Sequence, residues 1–75
     1  MSKLPRVTGK EVMRALERAG FREVRVRGSH HYLYHDEKDK LVTIPVHAGK
    51  TLAPKTLKAI LNQAGISVEE LRDLL

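Results

Sequence analysis

Glu23-Val24-Arg25-Val26-Arg27-Gly28-Ser29-His30-His31-Tyr32-Leu33-Tyr34-His35 is the stretch that decides the fold. Val24 and Val26 alternate with Glu23, Arg25 and Arg27, the two-residue period of a half-buried strand. Gly28-Ser29 interrupts the alternation, and glycine at the first central position of a two-residue loop suits a type II′ hairpin turn. A second strand runs from His30 to about His35. Successive side chains of a strand point to opposite faces, and Leu33 is the sole aliphatic residue between His30 and Asp36, so it is expected to face a core. His31 and His35 share its side. His30, Tyr32 and Tyr34 point the other way.

Downstream, Asp36 to Lys40 is a polar turn, and Leu41 to Val46 reads as a third strand with Val42, Ile44 and Val46 on one face. Thr43, Pro45 and His47 fall on the other face, together with His30 and the two tyrosines. Arg25 and Arg27 of the first strand join them. Pro45 has no N–H for a ladder and therefore belongs on an edge, which a three-stranded antiparallel meander supplies. Upstream, Thr8 and Glu11 form a capping box. Val12, Met13, Leu16 and Ala19 then recur at helical spacing, opposite Lys10, Arg14 and Arg18, and Gly20 ends the helix. Pro54 suits the first turn of a second helix, whose buried stripe is Leu57, Ile60, Leu61 and Ala64 and whose end is Gly65. Ser67 and Glu70 form a second capping box before a short last helix carrying Val68, Leu71 and Leu74. The expected fold is α+β in the order α-β-β-β-α plus a short C-terminal helix. Both main helices cover one face of the sheet, as in double-stranded-RNA-binding domains, and the other face is left to solvent.

The 75 residues make a single expected domain over 1–75. A chain this short buries only roughly 60% of its unfolded surface, so a shallow working surface suited to a polymer or a protein is expected. There is no cysteine, which excludes disulfides and thiolate metal sites. No apolar run approaches the ~18 residues of a membrane span or resembles a signal peptide, so the expected compartment is the cytoplasm. Residues 1–60 carry 13 Lys and Arg against 6 Asp and Glu, and residues 61–75 carry one Arg against three acids. A basic body with an acidic end points to a polyanion bound away from the C-terminus.

Arginines hold phosphates and aromatic rings stack on unpaired bases, so the open face suits single-stranded RNA. A polar outer sheet face is also ordinary structure. Four histidines raise a metal reading, which the strand geometry opposes. His30 and His31 point to opposite faces, and His31 and His35 lie roughly 13 Å apart along the strand, whereas zinc ligands sit ~2 Å from the ion. A pair of His30 and His47 has no evident third ligand. Ser29 beside His30 makes no nucleophilic dyad, because neighbours on a strand turn apart. One histidine among basic side chains is sufficient for RNA, which carries its own nucleophile. Such a histidine can take the 2′-hydroxyl proton, and a nearby Arg or Lys can stabilise the developing phosphate charge. No metal or other cofactor is required.

The ordered set Lys3-Leu4-Pro5-Arg6-Val7-Thr8-Gly9-Lys10-Glu11, Ala19-Gly20-Phe21, Arg27-Gly28-Ser29-His30-His31, Val42-Thr43-Ile44-Pro45-Val46-His47, Thr56-Leu57-Lys58-Ala59-Ile60-Leu61 and Ala64-Gly65-Ile66-Ser67 resembles the HicA (YcfA-like) toxins along nearly the whole chain. The resemblance implies a type II toxin–antitoxin toxin, mRNA interferase activity and a HicB-type antitoxin partner. The family's catalytic histidine follows Gly-Ser and maps to His30. Some members read Gly-Ser-Asn-His, which makes His31 the second assignment. The expected RNA contacts are Arg25, Arg27, Gly28, Ser29, Tyr32, Lys50, Lys55 and Lys58. Two other readings stay open: a non-catalytic RNA-binding module of the same fold, and a subunit that acts by binding another protein.

Overall fold

A computed structural model describes residues 3–75, so Met1 and Ser2 of the expected 1–75 domain lie outside the described residues. The elements are α1 (Gly9–Arg18), β1 (Arg22–Arg27), β2 (His30–His35), β3 (Lys40–Pro45), α2 (Pro54–Ala64) and α3 (Val68–Leu74). The three strands form one antiparallel sheet in the order β1-β2-β3. This is the expected α-β-β-β-α order with a short C-terminal helix.

The local signals act where the sequence places them. Thr8 and Glu11 form a reciprocal capping box at α1, and Ser67 and Glu70 form one at α3. Gly20 (φ +105°) carries the chain out of α1, and Gly65 (φ +68°) ends α2 in the left-handed region. In the β1–β2 turn Gly28 has φ +58° while Ser29 keeps a negative φ, the sign pattern of a type II′ turn.

Register sets which side chains share a face. Leu33 pairs with Val42, and His31 pairs with Ile44. Leu33, Val42 and Ile44 are fully buried against Val12, Ala15 and Leu16 of α1, Leu57, Ile60, Leu61 and Ala64 of α2, and Leu71 of α3. Val7, Phe21 and Ile66 close the core from the connections. All the sheet's core residues therefore lie on one face. The opposite face carries Arg27–His30–Pro45, Arg25–Tyr32–Thr43 and Arg22–Tyr34–Leu41 as cross-strand rows.

Two expectations change. β1 is exposed along its whole length, with Val24 at 44% and Val26 at 49%, rather than half-buried. The register shifts between Glu23 and Arg25, a bulge at Val24 that bends this edge strand, and the helices bury their apolar stripes on β2 and β3. On the outer edge of β3 one ladder amide is satisfied from α2, the Thr43 N–H donating to Gln63 Oε1 at 3.3 Å. His47 also leaves its expected face. The strand ends at Pro45, and His47 lines a groove on the helix side of the sheet.

Candidate functional site

The meander runs β1 towards the Gly28-Ser29 turn, β2 away from it and β3 back. The turn therefore shares one end of the molecule with the β3 exit and with the N-termini of both long helices. Long-range bonds tie this end together. The Val46 amide donates to the Ser29 carbonyl at 2.7 Å, and the Leu52 amide to the Val7 carbonyl at 2.8 Å. Thr8 bridges to Thr51. Gly9 lies so close to Pro45 that a Cβ would stand 2.1 Å from the Pro45 carbonyl oxygen. The two groups of expected RNA contacts are far apart in sequence, and each has members towards this end of the fold. Arg25, Arg27, Gly28, Ser29 and Tyr32 lie on and beside the turn, while Lys50 lies in the loop after β3 and Lys55 and Lys58 begin α2. All three lysines are exposed. The α2 N-cap is Ala53, which makes no side-chain cap, so the first amides of α2 add positive potential here.

His30 opens β2 on the uncovered face, opposite Arg27 on one side and Pro45 on the other. It is exposed. Among the described residues, His31 and His35 have side-chain hydrogen-bond partners, and His30 and His47 have none. Tyr32 is half-buried, with Arg25 opposite it.

The far end of the same face is engaged differently. Arg22 Nε and Nη2 donate to both oxygens of Asp36 at 3.1 and 3.2 Å. The guanidinium bond holds the Asp36 carboxyl below the usual carboxylate range and raises Arg22 in turn. Tyr34 donates its hydroxyl to Asp39 at 2.6 Å, and that bond raises the phenol above its ordinary value. The acidic turn thus neutralises Arg22 and occupies Tyr34. Arg25 and Arg27 make no such pair among the described residues.

His31 lies behind the sheet, on the face of Leu33. Its Nδ1 is 2.5 Å from Glu23 Oε2 across the bulge. A carboxylate only accepts, so Nδ1 carries the proton and Nε2 is left for another partner. His35 is structural. Its Nδ1 accepts from the Lys38 amide at 3.2 Å, its ring meets Phe21 edge-on at 5.0 Å, and Gly20 packs against it. Two other basic residues serve the fold: Arg18 donates to the Leu74 carbonyl at 2.6 Å, and Arg72 donates to the Lys3 carbonyl.

Sequence reasoning did not find Glu23 as the partner of His31, because the bulge decides that meeting. It also did not find Lys10 and Met13 beside His31 and His47 in the groove between α1 and the loop after β3. The capping box at Thr8 was the one local signal, since it points the start of α1 at that loop.

Among the described residues no helix is long and apolar enough to cross a membrane. No curated protein matches the chain. The family described as the HicA toxin of bacterial toxin–antitoxin systems matches residues 9–66, from the first residue of α1 to the exit of α2. With the fold and most of the chain accounted for in this way, the protein belongs to the HicA family of toxins, whose members are paired with an antitoxin.

Proposed function

We propose that this chain is an mRNA interferase of the cytoplasm, a metal-independent endoribonuclease that cuts single-stranded RNA with His30 as the catalytic residue. The observation that carries the reading is the register of Arg27 opposite His30 on the uncovered face, beside the Gly28-Ser29 turn. His30 takes the proton of a 2′-hydroxyl. The 2′-oxygen then bonds to the adjacent phosphorus and the bond to the 5′-oxygen breaks. The products are a 2′,3′-cyclic phosphate and a 5′-hydroxyl, which receives a proton from the imidazolium or from water. Arg27 and Arg25 offset the charge gathering on the phosphate. Tyr32 offers a ring to a base, the Gly28 and Ser29 backbone lies beside the strand of RNA, and Lys50, Lys55 and Lys58 hold more distant phosphates.

The test is cleavage of a single-stranded RNA in EDTA by the wild type and by His30→Ala. His30 is exposed, so the variant keeps its fold. A loss of roughly 10²- to 10⁴-fold is expected, the usual worth of one acid–base group. Full cleavage by the folded variant refutes the assignment and moves attention to His31. A protein that binds RNA and cuts none is the binding module instead.

The antitoxin partner is proposed to be of the HicB type and to silence the toxin by covering the His30 face. Aromatic and arginine side chains, the types enriched in binding hot spots, sit there together. Adding the partner is expected to protect amides 25–35 from hydrogen exchange. A complex that leaves them unprotected while blocking cleavage places the partner elsewhere.

A further inference from the structure

We propose that the groove between α1 and the loop after β3, on the sheet face opposite His30, is a second nucleotide subsite for the same single-stranded RNA. The inference rests on the reading of this end of the fold as an RNA surface, and it names where the strand goes next. The groove, half open to solvent, has a volume of about 440 Å³, within the roughly 300–1,000 Å³ of small-molecule sites. Its floor is Met13 and Val46, half-buried side chains packed against the core. Its polar lining is Lys10, His31 and His47 with Thr8, and among the described residues no carboxylate lines it. A nucleotide has that composition in reverse: a base with two apolar faces joined to an anionic phosphate.

The Glu23 bond gives His31 a defined part. With Nδ1–H donated to Glu23, the ring is fixed and Nε2 is left for a ligand. Neutral, Nε2 accepts from a base N–H or a ribose hydroxyl. Protonated, it donates to a phosphate. Glu23 is thus a positioning residue acting through His31. The His31 side chain is 21% exposed, enough for one edge of the ring to be reached.

The subsite is continuous with the site at His30. His30 and His31 are consecutive, and their side chains leave opposite faces at the end of the sheet. The edge between them is short, closed by the bond from Val46 N–H to the Ser29 carbonyl. A single strand lying on the open face rounds this edge and enters the groove within a nucleotide or two. A duplex is too stiff and wide to do so. The subsite therefore favours unpaired RNA.

The probe is a series of 2′-O-methyl RNA oligonucleotides of increasing length, which cannot be cut through a 2′-hydroxyl. Binding to the full chain is read by fluorescence anisotropy. Wild-type affinity is expected to step up once the oligomer reaches past His30, and Lys10→Gln/His47→Gln should lose that step, roughly tenfold, the order of one lost hydrogen bond to a charged group. Both side chains are exposed, so the double variant folds. The tautomer of His31, read by nitrogen NMR, is expected to be Nδ1–H in the wild type and in Glu23→Gln, whose amide oxygen still accepts. In Glu23→Ala it should become mixed, with affinity for the longer oligomers falling. An unchanged length dependence in the double variant overturns the subsite, as does a double variant that binds RNA normally and fails only to bind a protein partner. Either result leaves cleavage by His30 standing. Loss of the His30 assignment in turn leaves this binding measurement unaffected.

Discussion

Replacing Gly9 with alanine tests whether the close approach of α1 to β3 builds the functional end. An ideal Cβ at Gly9 stands 2.1 Å from the Pro45 carbonyl oxygen, and 3.1 Å from the Pro45 carbonyl carbon and from the Val46 Cα. All three neighbours are backbone, so no flexible side chain can move aside. Relief needs about 1 Å of extra separation, judged against ordinary close contacts of 3.0 Å or more. α1 cannot supply it cheaply, because Val12, Ala15 and Leu16 are fully buried just beyond. Alanine gains at most about 1 kcal/mol of helix propensity, and overpacking against backbone costs about 3 kcal/mol, the upper end of the usual range. The net loss is about 2 kcal/mol. At ~2.1 cal/mol/K of unfolding entropy per residue, a chain of 75 residues loses about 12 °C in Tm. Gly28→Ala is the comparison. Among the described residues, no atom beyond its chain neighbours lies within 4 Å of a Cβ there, so only the positive φ is strained, at about 1 kcal/mol and about 6 °C. Thermal melts followed by far-ultraviolet circular dichroism measure both. A Gly9→Ala protein that melts within about 2 °C of the wild type, or above Gly28→Ala, refutes the reasoning.

Two other outcomes are expected. Arg25→Gln and Arg27→Gln should each lower the salt slope of RNA binding by about 0.7, while Arg22→Gln should leave it unchanged because Asp36 already pairs that guanidinium; equal effects at all three positions would contradict the placement of RNA at the turn end. Glu70 is held below its ordinary value of 4.5 first by the bond its carboxylate accepts from the Ser67 amide and then by the neighbouring Ser67 side chain. Its contribution to stability is therefore complete above that value and is lost as pH falls through the lower folded one. Urea unfolding between about pH 6 and about pH 3 should show a shallower acid loss in Glu70→Gln than in the wild type, and identical slopes would count against the cap.

Most of the architecture was legible in the chain because its signals are local. Capping boxes at Thr8–Glu11 and Ser67–Glu70, the apolar stripe of α2, and Gly28 in a hairpin turn each act within a few residues. The side of β2 on which His30 lies followed from Leu33 alone, since a strand has a fixed two-residue alternation. The location of Pro45 on an edge followed from its missing N–H.

What the tertiary structure decided is what depends on residues far apart in sequence. No periodicity reveals the bulge at Val24, which comes from fitting β1 to a sheet whose helices cover β2 and β3; through it Glu23 meets His31 and the valines of β1 stay exposed. The strand period places His47 beside His30, but β3 ends at Pro45, and past a strand's end the period no longer applies. That the Gly28-Ser29 turn and the start of α2 lie towards one end of the fold is set by the direction of the meander, by the contact of Gly9 with Pro45 and by the bond from Leu52 N–H to the Val7 carbonyl. The sequence by itself thus determined the elements, their order and the face on which His30 stands. Only packing decided which side chains come together at the end of the sheet, because those neighbours are joined through the core and not along the chain.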